Sequence, residues 1–177
     1  MNIKAFFIPQ ALDTKSDVGL LLLRLIAGFA MTIHGLQKMA TPFAWMGPEA
    51  PVPGVLQFFA AFAEFAGGIA WIIGLLTPLA SLGIGFTMLV GMFVAHILPG
   101  DPFVRLFAPP GSPETLLFGL PKAITVQGGQ GGSWELAALY LVISAVLASA
   151  GPGRFSLDAR FFRASVQLLG QSKAYAR

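Results

Sequence analysis

Four long runs of apolar residues, separated by stretches rich in glycine and proline, organise the chain. They cover residues 18–39, 55–76, 78–98 and 134–150. A bilayer core of ~30 Å needs about 20 helical residues, with roughly 17 to 25 tolerated. The first three runs meet that requirement, and the fourth lies at its lower limit. The pattern therefore predicts an all-α integral membrane protein, a bundle of four transmembrane helices that forms a single domain over residues 1–177.

The ends of these runs carry residues that typically begin and end helices. Thr77 is predicted to be an N-cap, followed by Pro78 at the first helical position, directly after Leu76. The second and third helices are therefore predicted to form a tight antiparallel hairpin. Ser133 is predicted to cap the fourth helix, and the Gly-Pro-Gly sequence at 151–153 is predicted to end it.

Composition favours the membrane and argues against most soluble classes. Hydrophobic residues make up 55% of the chain and charged residues only 11%, whereas a soluble domain carries about a quarter charged residues. The formal net charge is +3, but the basic residues are scattered and make no basic face, so nucleic acid is not expected as a partner. The chain has no cysteine, which excludes disulfides and thiolate metal sites within it.

The basic residues of the loops predict the orientation of the bundle. Seven lie on the side of the two termini: Lys4, Lys15, Arg154, Arg160, Arg163, Lys173 and Arg177. Three lie on the opposite side: Lys38, Arg105 and Lys122. Both termini are therefore predicted to be cytoplasmic, with outward loops at residues 41–54 and 99–133.

Six ionisable residues lie inside or beside the apolar runs, where a charge costs ~2.5 to 3.5 kcal/mol on insertion scales. They are Arg24, His34, Lys38, Glu64, His96 and Glu135. At 1.5 Å per residue, Arg24 is expected ~9 Å from one membrane face and Glu64 ~13 Å from the other. An Arg24–Glu64 ion pair would then satisfy both charges. The remaining four residues are predicted to converge at the outward end of the bundle.

All of these residues except Glu64 also have a simpler structural interpretation. Arg24 can extend its side chain to the cytoplasmic interface, and Lys38 can anchor the opposite interface. Glu135 can simply favour the positive N-terminus of a helix, and either histidine can be a packing residue. A metal site is disfavoured, because no HxxxH or ExxH spacing places two ligands on one helix face.

Three segments of the chain resemble the DoxX family of small bacterial inner-membrane proteins. They are LLLRLIAGFAMTIHGLQKM at 21–39, FAEFAGGIAWIIGLLTPLAS at 62–81 and ELAALYLVISAVLASAGPGRFSLD at 135–158. The resemblance implies a multi-pass protein of the bacterial plasma membrane. By position in these motifs it also implies functional interest in Arg24, His34, Gly35, Lys38, Glu64 and Glu135, and His96 occupies the place of a third-helix polar residue.

The family is similar to the small membrane subunits of an archaeal thiosulfate:quinone oxidoreductase, and some members are linked to oxidative-stress complexes with soluble redox partners. The resemblance therefore implies a membrane subunit of a redox complex, with a quinone as ligand and a soluble redox protein as partner. Histidine and arginine can hydrogen-bond quinone carbonyls, and a carboxylate can accept the proton released on quinol oxidation. Whether the chain is itself an enzyme or a homo-oligomer is left open.

Two other functions are compatible with the same residues. In a small proton-linked transporter, Glu64 would titrate within a polar path, although four helices leave little room for one. In a non-catalytic membrane scaffold, the Arg24–Glu64 pair would be purely structural.

Overall fold

The computed structural model describes residues 13–109, 111–116 and 119–161. Three helices in these ranges are long and apolar enough to cross a membrane, and a fourth apolar helix is shorter. We label them α1 (Thr14–Met39), α2 (Gly54–Ile73), α3 (Thr77–Ile97) and α4 (Glu135–Ala150). The prediction of four apolar helices is confirmed. Orientation stays a prediction, and four of the residues that carry it, Lys4, Arg163, Lys173 and Arg177, lie outside the described residues.

The chain divides into two compact units. The first unit takes in described residues 13–84 and 143–161, and the second takes in 85–142. Helices α1 and α2 belong wholly to the first unit, whereas the boundaries between the units fall within α3 and α4.

Glycines allow α1 and α2 to pack backbone against backbone. A Cβ on Gly68 would lie 2.5 Å from the backbone nitrogen of Thr32, and one on Gly28 would lie 2.7 Å from the carbonyl oxygen of Gly68. A Cβ on Gly35 would overlap the backbone of Phe65. Because lipid tails are as apolar as the helices, such close approach of small residues supplies much of the drive for association.

The α2–α3 hairpin forms as predicted, but a residue far along the chain begins α3. Gly74 adopts a left-handed conformation with φ 68° at the end of α2. The Leu76 carbonyl accepts from Ala80, so Leu76 occupies the N-cap position. Its backbone N–H and that of Thr77 donate to the two carboxylate oxygens of Asp158, at 2.7 and 2.9 Å. The prediction that Thr77 is the cap is therefore wrong: among the described residues its hydroxyl has no hydrogen-bond partner.

The start of α4 also differs from the prediction that Ser133 is its cap. The Trp134 carbonyl accepts from Ala138 at 2.9 Å, which makes Trp134 the N-cap residue. The Glu135 N–H donates to the carbonyl of Phe103 at 3.0 Å. The end of α4 is as predicted, with Gly151 at φ 77°.

The outward loop predicted at 99–133 folds into a small sheet that the helical pattern did not predict. Its strands are β1 (Val104–Leu106), β2 (Thr115–Leu116) and β3 (Thr125–Gln127), in the order β1-β3-β2. β1 runs parallel to β3, and β2 runs antiparallel to it. Before this sheet, α3 ends in a π-helical turn at Met92–Ile97.

Candidate functional site

A buried ion pair joins α1 to α2. The Nζ atom of Lys38 lies 2.5 Å from Oε1 of Glu64. The Glu64 side chain is almost fully buried, whereas 23% of the Lys38 side chain is exposed. The predicted partner of Glu64 was Arg24, and that prediction is wrong: the carboxylate is neutralised by the lysine at the other end of α1.

The close packing of the two helices explains this pairing. Gly35 lies one turn before Lys38 and contacts the backbone of Phe65, the residue that follows Glu64. With no Cβ between the backbones at this point, the lysine stem lies directly beside α2. The lysine ammonium can therefore reach the carboxylate, although Lys38 belongs to the last turn of its helix.

The loop that follows α1 closes over the lysine. The Lys38 ammonium lies 4.4 Å from the centroid of the Trp45 ring, a cation–π contact. The Trp45 indole N–H donates to the carbonyl of Gln57 at 2.9 Å. The buried side chain of Gln57 accepts from Met46 N–H at 3.0 Å and donates to the Val52 carbonyl at 2.8 Å. Sequence reasoning missed Trp45 and Gln57, because an uncharged residue in a loop or on an apolar helix carries no signal of its own.

One oxygen of this cluster lacks a donor. Glu64 Oε2 is buried and has no hydrogen-bond partner among the described residues. Leaving a buried acceptor unpaired costs about 1 to 3 kcal/mol, more when the group is charged. The oxygen can therefore accept a hydrogen bond from a hydroxyl group of a ligand.

Arg24 is bound by backbone carbonyls rather than by a carboxylate. Its Nε donates to the Trp71 carbonyl at 3.0 Å, and its two terminal nitrogens donate to the carbonyls of Pro152 and Phe155. The side chain is buried among protein atoms, and its extension to the cytoplasmic interface stays a prediction. The prediction considered only charged partners, but a guanidinium can also bind backbone carbonyls, here one in the last turn of α2 and two in the segment after α4.

The segment after α4 completes this network at the start of α1. The buried carboxylate of Asp17 accepts from the backbone N–H of Arg154 at 2.8 Å and from its Nε at 2.5 Å. Asp158, in the same segment, holds the start of α3 as described above. The segment GPGRFSLD thus ties α1, the α2–α3 turn and the end of α4 together.

The remaining predicted site residues lie in different surroundings. His34 is exposed on α1, one turn before Lys38. His96 and Glu135 belong to the second unit, where Nδ1 of His96 lies 2.9 Å from Oδ2 of Asp101 and Glu135 is half-buried. The convergence of all four residues at one end stays a prediction. What the structure brings together is Lys38 and Glu64.

The second unit has its own charged network beside a cleft of about 420 Å³. Arg105 donates to the carbonyls of Gly132 and Gly128 at 3.1 and 2.8 Å, and to Glu114 at 3.0 Å. Hydrogen bonds from Lys122 and Arg105 hold the pKa of Glu114 below its ordinary value. Arg105 is thus engaged by protein groups, and within the described ranges no three His, Asp or Glu side chains are placed to hold a metal ion.

The comparisons with known proteins concern the helices that carry the ion pair. A family model described as DoxX matches residues 19–97, a segment that contains Arg24, Lys38 and Glu64 and ends with α3. Neither a curated protein nor a solved structure matches the chain. Three helices are long and apolar enough to span a bilayer, and the match covers all of them from residue 19 to residue 97, so this membrane protein carries a segment that matches the DoxX family.

Proposed function

We propose that the chain is a membrane subunit of a redox complex, and that its Lys38–Glu64 pair binds the polar headgroup of a quinone. The observation that carries this proposal is the buried Oε2 atom of Glu64, which has no partner among the described residues. A carboxylate with one oxygen on a lysine and the other unused offers a donor and an acceptor side by side.

The chemistry of a quinone headgroup fits that arrangement. The Lys38 ammonium has three N–H donors, of which one is used by Glu64, so a quinone carbonyl can accept from another. Glu64 Oε2 can accept from a quinol hydroxyl. When the quinol gives up two electrons and two protons, Glu64 takes one proton and water at the outer membrane face takes the other. The electrons pass to a soluble redox protein, the partner in this proposal. Binding, rather than electron transfer, is the part that we assign to this chain.

Two neighbouring side chains support ligand binding at this place. Trp45 covers the lysine and offers an aromatic surface to a planar ring. His34 is exposed one turn earlier on α1, where a second donor can meet the ligand from the lipid side. Arg24 has no part in it, because its donors are taken by carbonyls.

The proposal includes a topology. All four helices cross the plasma membrane of a bacterium, both termini are cytoplasmic, and Lys38 lies near the outer face. The seven basic residues on the side of the termini, against three on the other side, support this orientation. Because the chain has no cysteine, a single cysteine introduced at exposed Glu49 would be labelled from outside intact cells, and one at exposed Arg160 would not.

The decisive experiment measures quinone binding in lipid nanodiscs. A water-soluble quinone analogue should quench the tryptophan fluorescence of the protein, and the binding should weaken at least tenfold in Lys38→Met and Glu64→Gln. Lys122→Met is the matched control, because Lys122 is also ion-paired, at 2.6 Å to Glu114, but lies in the second unit. Quenching no stronger than in empty nanodiscs, or equal in all four proteins, would remove the proposal.

The unpaired oxygen of Glu64 also favours a second candidate, proton-linked transport. In that case Glu64 would take up a proton from one side and release it to the other. Proteoliposomes would then show a proton-coupled flux that is lost in Glu64→Gln and is insensitive to quinone analogues. A third outcome is that the protein neither binds quinone nor transports protons, while a Lys38/Glu64 double-mutant cycle shows strong coupling in the free energy of unfolding. Only the scaffold function would then remain.

A further inference from the structure

The charged side chains of the segment that joins α3 to α4 form ion pairs within the second unit. It carries two acidic and two basic residues, Asp101, Glu114, Arg105 and Lys122. Every one of them has a charged partner within the second unit, at N–O distances between 2.6 and 3.8 Å. The ion pairs neutralise all four charges, although the side chains of Lys122 and Glu114 remain 56% and 29% exposed.

The same segment exposes large apolar side chains instead. Phe107, directly after β1, is 86% exposed, Leu98 is 77% exposed and Leu116 is 60% exposed. Leu106 and Ile124 are exposed as well. An extramembrane sheet with its charges paired and its apolar side chains outside is suited to an apolar neighbour.

Hydrogen bonds hold this sheet directly against the ends of two apolar helices. Just before β1, the carbonyls of Pro102 and Phe103 accept from Trp134 and Glu135 at 3.3 and 3.0 Å, where α4 begins. The rings of Phe103 and Trp134 are in contact, with centroids 4.5 Å apart. Aromatic side chains are enriched at membrane–water interfaces. The exposed apolar residues of the sheet therefore belong to a segment that is bonded to the start of an apolar helix and follows another, α3, which itself exposes Phe93.

The register of the strands favours a fluid partner over a rigid one. Residues paired across strands point to the same face, and successive residues point to opposite faces. Leu116 pairs with Val126, which also pairs with Arg105, so these three share one face. Leu106 follows Arg105 and lies on the other. A protein partner would need the apolar residues gathered on one face, whereas lipid can surround both.

We propose that this segment is an interfacial lipid-binding element, in which Leu106, the last residue of β1, and Phe107, which follows it, insert into the adjacent bilayer leaflet. The partner is the boundary between lipid headgroups and acyl chains, where apolar side chains of peripheral segments are buried. The inference is independent of quinone binding, which concerns residues of the first unit.

The test uses the absence of cysteine from the chain. The variant Phe107→Cys, labelled with an apolar environment-sensitive fluorophore, is placed in nanodiscs with and without brominated lipids. Gln130→Cys is the control, because Gln130 is exposed and polar and lies in the same unit. We expect brominated lipid to quench the label at 107 at least twofold more than the label at 130, and aqueous iodide to show the reverse order.

Two results would overturn the proposal. A label at 107 that iodide reaches freely and brominated lipid does not quench would place the loop in water. A label shielded from both quenchers would assign the surface to contact between protein molecules. Neither variant is expected to disturb folding, since both positions are exposed, and native-like thermal unfolding of each labelled protein checks this.

Discussion

The two ends of α1 each bury a basic side chain, and they neutralise it in different ways. Near the start, Arg24 donates to three backbone carbonyls, Trp71, Pro152 and Phe155. At the other end, Lys38 contacts one carboxylate oxygen and leaves the second without a donor among the described residues. A charge held by fixed carbonyls has only a structural role, whereas a charge held by a carboxylate with spare capacity can respond to a proton or a ligand.

The chemistry of the two side chains matches these roles. A guanidinium is planar and presents its donors in a fixed fork, so it can join three chain segments at once. A lysine ammonium is a point charge with rotatable donors, and it can exchange one acceptor for another. We call these sites the arginine end and the lysine end.

The largest effect is expected at the arginine end. Arg24→Ala should lower the free energy of unfolding by ~3 kcal/mol or more, because three hydrogen bonds from a buried, charged donor are lost. Arg24→Lys should recover only part of the loss, since one ammonium cannot replace the fork. Unfolding by denaturant in mixed micelles measures both. A loss below ~1 kcal/mol in Arg24→Ala would show that the carbonyls find other donors and that this end is not the structural one.

The next largest effect concerns Asp158, which connects the arginine end to the hairpin. Asp158→Ala should cost ~1 to 2 kcal/mol, the usual range for loss of a helix N-cap. Asp13→Ala is the matched control, because Asp13 caps α1 through the N–H of Ser16 at an exposed position. The control should lose less free energy of unfolding in the same assay. Equal losses in the two variants would mean that burial of Asp158 does not increase the stability that its cap contributes.

At the lysine end, stability and ligand binding should separate. Glu64→Gln keeps an oxygen that can accept from Lys38, so the expected loss of stability is under ~1 kcal/mol. Quinone affinity should nevertheless fall at least tenfold, because the carboxylate is gone. Unfolding and fluorescence quenching on the same preparation measure the two quantities. A large loss of stability with unchanged affinity would make the lysine end as structural as the arginine end.

The smallest effect on stability is expected at the exposed ion pairs of Glu114. It provides a contrast with the buried charges of the arginine end and the lysine end. Hydrogen bonds from Lys122 and Arg105 lower the pKa of Glu114 from its ordinary 4.5. A lowered folded-state pKa stabilises the fold above the ordinary value, and this contribution is lost as the pH falls through the folded pKa. Thermal unfolding between pH 6 and 3 should therefore show a small acid-dependent loss that Glu114→Gln removes. An unchanged pH profile in that variant would contradict the assignment.

Sequence reasoning predicted the parts of the fold that depend on local pattern. Four apolar runs gave four helices, and Gly151 ended α4, because hydrophobic length and glycine conformation are properties of a few neighbouring residues. It could not predict that Asp158 begins α3 or that Arg24 binds carbonyls, since those partners come together only in the folded chain. The small sheet was missed because strands of two or three residues leave no alternating pattern.

The ion pair joins two of the six residues predicted for the site, in a pairing that was not predicted. Lys38 and Glu64 were both expected to matter, because a charge among apolar residues is conspicuous. Depth along each helix then suggested Arg24 as the partner of Glu64. The partner of Glu64 is determined instead by how closely α1 and α2 approach each other. That approach depends on Gly35, which lies against the backbone of Phe65.

The capping of α3 by Asp158 has a consequence for biosynthesis. The carboxylate that fixes the Leu76 N–H lies 82 residues further along the chain. At roughly 5 to 20 residues per second, the ribosome reaches it about 4 to 16 s after the hairpin has been made. During that interval the turn, with Leu76 at a φ of 50°, has to be held by water, lipid headgroups or the insertion machinery, so a nascent chain arrested before residue 158 would expose it to membrane quality control.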